Sequence, residues 1–292
     1  MPVSLNREDV PENLNWLAMA GIEFVEYSTQ RPQALGQVVE TFGFRPVARH
    51  RSREVTLYRQ GSMNLVINAD PDDGWGSEQG AEQPILSAVA FRVQDARRAF
   101  RRCLELGAWE VPSRAQAMEL HIPALHGPGP SRFYFVDRWE QFSIFDIDFE
   151  PIPGVEQTPP ALAGMKWFGV VQYVGADRTP DWTAYYEQMF GFASIPENQR
   201  YGILPNGSLM SSPCGQFLWQ LVEPGPWPIV TDVTESLQRI GIGVPDVAVA
   251  VNLLKSRGVE FVDTAHLHPD DRGALTLVVP GGVAFELVHQ PD

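Results

Sequence analysis

Cysteine is almost missing from this chain: Cys103 and Cys214 are the two among 292 residues, far apart and in no CxxC or zinc spacing. That rules out a disulfide framework and a thiolate metal site and leads us to expect a reduced, cytoplasmic protein. Basic residues are also scarce, with 22 Lys and Arg against 36 Asp and Glu and a net charge of −14. Nucleic acid and anionic membrane both require a basic face, so neither is expected as a partner. No aliphatic run reaches the length of a membrane span, and the opening Met1–Asn15, with Arg7, Glu8 and Asp9, does not read as a signal peptide. GxGxxG, Walker, GxSxG and HExxH motifs are all absent. What the chain does have is apolar material: 44% hydrophobic residues, sixteen of them Phe, enough to build cores for two ordinary domains.

That material is arranged as a repeat. Ala20–Phe44 and Gly164–Phe192 each run from an apolar strand through a polar turn into an amphipathic helix that ends in Phe-Gly-Phe. A second echo follows in each half. Val93-Gln-Asp95 precedes Gly107 by the same interval as Val244-Pro-Asp246 precedes Gly258, which reads as strand, N-cap Asp, one helix and C-terminal Gly. Within the first half the pattern predicts a strand at Gly21–Tyr27, a helix at Pro32–Thr41 and a hairpin about Gly61. It also predicts a strand at Ile85–Val93, a helix at Asp95–Leu106 with a solvated arginine face, and closing strands at Arg132–Asp137 and Phe142–Phe149. The expected fold is α+β: tandem βαβββ modules forming two curled mixed sheets or open barrels, helices outside. The expected division is an arm (1–16), an N-terminal domain (17–149), a proline-rich linker (150–163) and a C-terminal domain (164–292) that holds the pocket.

Four runs in the first half carry a family likeness: GIEFVEY, VARHRSREVTLYRQGSMNLVIN, VAFRVQDARRAFRRCLELGA and FYFVDRWEQFSIFDIDFEPIPGVE. Together they resemble the N-terminal domain of the 4-hydroxyphenylpyruvate dioxygenases, in the vicinal oxygen chelate superfamily, across nearly all of residues 17–155. The second half resembles the C-terminal domain of that family more thinly, through DWTAYYEQMFGF, LMSSPCG, the VPD helix and GGVAFELV. The resemblance implies an Fe(II) site made of two His and one carboxylate. On this sequence the first His falls at Val170, the second at Arg239, and the carboxylate remains as Glu286. Val cannot ligate, and Arg is a fixed cation. The family's polar substrate contacts fall at Gly207, Val222 and Leu277, with Gln238 retained; the sequence ends at Asp292, before the position of a gating helix. A resident metal or other cofactor is therefore not expected.

A carboxylate left in a closed cup needs a partner, and Arg239 stands where the second ligand would be, so an Arg239–Glu286 pair is expected. Two readings of that pair stay open. It neutralises a decayed site, or Arg239 anchors a substrate carboxylate while Glu286 serves as acid or base. The expected pocket adds Val170, Gln172, Gln220, Val222, Leu277 and His289, Gln172 being placed on the face of Val170 by strand alternation. The expected function is a metal-independent enzyme of lyase or isomerase type acting on a small aromatic or ring-derived carboxylic acid. Its alternatives are a non-catalytic small-molecule-binding relative and a dioxygenase with ligands relocated to His266, His268 or His289. His50, His121 and His126 read as structural. A homo-oligomer is among the partners that the resemblance suggests.

Overall fold

The computed structural model describes residues 15–71, 83–113, 115, 119–140, 142–196, 202, 207–223, 235–277 and 283–290. Most of the expected arm lies outside them. The first half builds β1 (Met19–Ser28), α1 (Pro32–Thr41), β2 (Arg45–His50), β3 (Val55–Gln60) and β4 (Met63–Asn68). It continues with β5 (Ile85–Val93), α2 (Ala96–Glu105), β6 (Ala124–His126), β7 (Arg132–Val136), α3 (Ile144–Asp148) and β8 (Phe149–Pro151). The second half builds β9 (Lys166–Tyr173), α4 (Thr179–Phe190), β10 (Ala193–Ser194), β11 (Ser208–Ser211) and β12 (Leu218–Val222). After these come β13 (Ser236–Val244), α5 (Val247–Ser256), β14 (Gly273–Leu275) and β15 (Phe285–His289).

Among the described residues the strands form two sheets, ordered β6-β7-β5-β1-β4-β3-β2-β8 and β10-β11-β12-β9-β13-β15-β14. The two share one plan. β1 pairs parallel with β4 and antiparallel with β5, which pairs parallel with β7; β9, β12, β13 and β15 repeat those relations. This is the mixed-sheet α+β architecture that the repeat implies, and neither sheet closes on itself among the described residues. The caps follow the sequence pattern. Asp95 accepts a hydrogen bond from the Arg98 N–H at 2.9 Å, and Asp246 accepts one from the Val249 N–H at the same distance. Gly107 and Gly258 end their helices with φ of 95° and 89°, a conformation that a Cβ disfavours.

The fold departs from the sequence pattern at Phe142–Phe149, expected as a strand. Ile144–Asp148 is a short helix, and its start is stabilised by the Asp146 carboxylate, which accepts from the Ser143 N–H at 2.8 Å and Oγ at 3.1 Å. The Ser-x-x-Asp spacing of a capping box outweighs the apolar run there. β6, which is not among the strands expected from the sequence, pairs with β7.

One apolar core joins the two sheets. Phe91 of β5 stacks on Phe217 with ring centroids 5.9 Å apart, Phe133 of β7 meets Phe190 of α4 edge-on at 5.5 Å, and Phe42 meets Phe285 at 4.5 Å. The concave face of each sheet turns away from this shared core, so each half carries its own cup. Among the described residues, no helix is long and apolar enough to cross a membrane.

Candidate functional site

The C-terminal cup is built on the central strands β9, β13 and β15. Their register sets Gly169, Gly241 and Glu286 side by side across the sheet. Gly241 beside Glu286, and Gly169 beyond it, put no side chain into this row of the sheet. Gly202, at φ 67°, closes over the carboxyl so tightly that a Cβ there would strike Glu286 Oε1. Glu286 is 4% exposed, and burial pushes its carboxyl up to about 7 against the opposing pull of the Arg239 cation.

Arg239 lies in the same cup without closing an ion pair on Glu286. Its guanidinium stacks over the Tyr173 ring, 5.8 Å from the centroid, and its buried Nε meets no hydrogen-bond partner. The expected direct pair is thus replaced by a cation held on an aromatic face and a carboxyl that changes protonation near neutrality. Gln220 lines the same space from β12, and Val222 follows it on that strand, half-buried.

Gln172 does not line the cup, and Val170 borders its small space while packing mainly on the other side of the strand. The strand alternation that sets them on one face holds, but that face is the helix side. Val170 packs into the shared core, and Gln172 Oε1 accepts from Tyr186 Oη at 2.6 Å and Trp219 Nε1 at 3.0 Å. The cup-facing residues of β9 are Gly169, Val171 and Tyr173, one position off, and a shift of one residue exchanges the faces of a strand. Gln238 is the extra residue of a bulge between Leu237 and Arg239 and is exposed. Leu277 and His289 are exposed as well, as are His266 and His268 in a loop.

The space beside Glu286 is about 20 Å³, room for a single water molecule. A far larger cavity, about 540 Å³, fills the cup of the N-terminal sheet, and the sequence reading missed it. His50 and His126, taken as structural, line it together with Glu26 and Arg132. The available signal was a set of charged residues inside apolar strands: Glu26 in β1 and Arg132 in β7, both buried.

Comparison with known proteins places these cups in a family. The profile described as hydroxyphenylpyruvate dioxygenase (HPPD), N-terminal, matches residues 14–150. A 4-hydroxyphenylpyruvate dioxygenase of Pseudomonas sp. is 38% identical over 183 residues, covering 62% of this chain and 51% of that protein. The 4-hydroxyphenylpyruvate dioxygenase of Pseudomonas aeruginosa is 30% identical over 266 residues, covering 87% of this chain and 74% of that protein. The chain belongs to the 4-hydroxyphenylpyruvate dioxygenase family. It thus spans from about half to three quarters of the length of these two HPPD relatives. Another relative, the 3-dehydroshikimate dehydratase of Pseudomonas aeruginosa, is 29% identical over 87% of this chain and 41% of its own length. The fold is that of a solved mutant of 4-hydroxymandelate synthase from Streptomyces coelicolor, with TM-score 0.69, 18% identity and 93% of each chain covered.

The iron implied by HPPD kinship can be tested against the donor set. Among the described residues no three His, Cys, Asp or Glu side chains come together in a way that could hold a metal ion. A fixed Arg239 cation shares the cup of Glu286 instead. These residues do not fit a divalent iron, either at the family position or with His266, His268 or His289 as substitutes.

Proposed function

We propose that this chain acts by acid–base chemistry, without a resident metal, on a small aromatic or ring-derived carboxylic acid. The observation that carries the reading is the buried Glu286 carboxyl, with a pKa of about 7 and no ion pair. Such a group exchanges a proton at neutral pH, as general acid–base catalysis requires. Arg239 supplies a guanidinium for the substrate carboxylate. In an elimination, ionised Glu286 takes a proton from the carbon beside the activating carbonyl or carboxylate. The C–H electron pair becomes a C=C bond, the hydroxyl on the next carbon leaves, and the protonated Glu286 returns its proton so that water departs. Kinship with a protein named as a dehydratase of a ring acid supports this reaction class.

The tightness of the cup favours a second reading. With about 20 Å³ beside Glu286, a ring acid enters only if the cup widens, whereas a protein without chemistry at Glu286 has no such requirement. Incubating the purified chain with hydroxylated ring acids and following the conjugated product by absorbance separates the two. Turnover that falls about 100-fold or more in Glu286→Gln, with ligand binding kept, supports the enzyme. Absence of turnover across the panel, or an unchanged rate in Glu286→Gln, leaves the non-catalytic binding protein.

A further inference from the structure

The two cups share a register but exchange their chemistry. Across the N-terminal sheet Phe24, Ala90 and Tyr134 stand side by side, the positions held in the other sheet by Gly169, Gly241 and Glu286. One step along, Glu26 faces Ala88 and Val66 where Val171 faces Arg239 and Gln220. The acidic group has therefore moved from the last strand to the first. An alanine occupies the place of the arginine, and an aromatic ring replaces each of the two groups flanking the central position. What was nearly solid in one cup is a 540 Å³ cavity in the other, within the usual range for small-molecule sites.

The deep end of that cavity is polar and ordered. Glu26, 7% exposed, accepts from Asn68 Nδ2 at 3.2 Å and from Ser87 Oγ at 3.1 Å. Arg132, also 7% exposed, donates from Nη1 to Tyr134 Oη at 3.1 Å. Glu26 and Arg132 stand in one row across the sheet on either side of Ala88, so the lining offers an acceptor and a donor of opposite charge with an amide and a phenol beside them. The walls are aromatic: Phe24 meets Tyr134 at 5.8 Å and Phe145 at 6.1 Å, and Phe145 meets Phe149 edge-on at 5.4 Å. Glu119 and Leu120, which also line the cavity, are tied to the β2–β3 connection and to α3. Glu119 takes Arg53 Nε at 3.1 Å and Nη2 at 2.6 Å, and the next N–H, from Leu120, is shared by both oxygens of Asp148 at 3.1 and 3.2 Å.

We propose that the N-terminal cup is a binding site for a hydroxylated aromatic compound. The ring lies against the Phe24, Tyr134 and Phe145 wall, and its hydroxyls exchange hydrogen bonds with Glu26, which accepts, and with Asn68 and Arg132, which donate. The flat aromatic wall selects a planar ring over an aliphatic one, and the mixed floor selects hydroxyls, which both give and take hydrogen bonds. This site is independent of any chemistry at Glu286.

Saturation-transfer NMR on the full chain tests it, with catechol as probe and benzoate and cyclohexanol as comparators. The expected result is transfer to the catechol ring protons and affinity for catechol above both comparators. Affinity should fall about tenfold in Glu26→Gln, which removes one charged acceptor. Ile122→Trp, which fills the cavity from its half-buried side, should abolish binding and decides the matter if Glu26→Gln does not fold. Catechol binding should be the same in Glu286→Gln. Equal catechol binding in wild type and both cavity variants, loss of binding in Glu286→Gln alone, or no binding by wild type up to about 5 mM overturns the proposal.

Discussion

Glu286 and Gln172 illustrate how two polar residues buried in one sheet, on strands either side of β13, take opposite roles. Glu286 titrates; its carboxyl is raised by burial from 4.5 to about 7, so the folded chain holds a proton that the unfolded chain has lost between those values. Its contribution to stability is complete below pH 4.5 and disappears as pH rises through 7. Glu286→Gln, always neutral, should match wild type near pH 4.5. Above pH 7 it should exceed wild type by up to about 3 kcal/mol, read from denaturation midpoints across the range. Gln172 does not titrate; it terminates the hydroxyl of Tyr186 and the indole N–H of Trp219. Gln172→Leu strands both donors and should cost about 2–4 kcal/mol in urea unfolding, with no change in ligand binding at either cup. A loss of binding without a loss of stability would return Gln172 to the pocket.

At the scale of elements, the α2 and α5 units are twins in both sequence and geometry. Each starts on an Asp cap and stops at a left-handed Gly. Asp95→Ala and Asp246→Ala should each cost about 1 kcal/mol, and the double variant about the sum, because the caps are separate and share no partner. Denaturant titration of the three variants checks both the magnitude and the additivity. The element that broke the pattern, α3, did so through a side-chain cap rather than hydrophobic periodicity. Ser143→Ala leaves its Asp146 bond from the N–H in place, so a smaller penalty, about 0.5 kcal/mol, is expected there.

Over the whole molecule the two sheets stand or fall together. Phe91 touches Phe133 of its own sheet and, from the second half, Phe190 of α4, Phe217 and Trp219 of β12. Phe91→Ala should cost about 3–5 kcal/mol and keep a single calorimetric transition, shifted down. Two resolved transitions would mean that each half has a core of its own. The cups, in contrast, lie on opposite sides of that core and share none of the residues that line them. Ligand binding in one should therefore proceed when the other is filled.

The repeat, the two Asp-to-Gly helices and the strand–helix order apart from β6 and α3 could be read from the sequence, because each depends on neighbours a few residues apart: period, caps and turns. Arg239 and Glu286 were singled out by the family resemblance, which sets them at two ligand positions. Which face of β9 looks into the cup could not be read that way. Alternation places Val170 and Gln172 on one side, but the choice of side is made by α4 and β12, which bring Tyr186 and Trp219 to Gln172. Nor does any local pattern state how much space a cup encloses. The 540 Å³ cavity and its 20 Å³ counterpart come from the same strand plan and differ by the side chains that tertiary pairing sets opposite one another. Period and capping are properties of the chain; facing and volume exist only once distant strands have met.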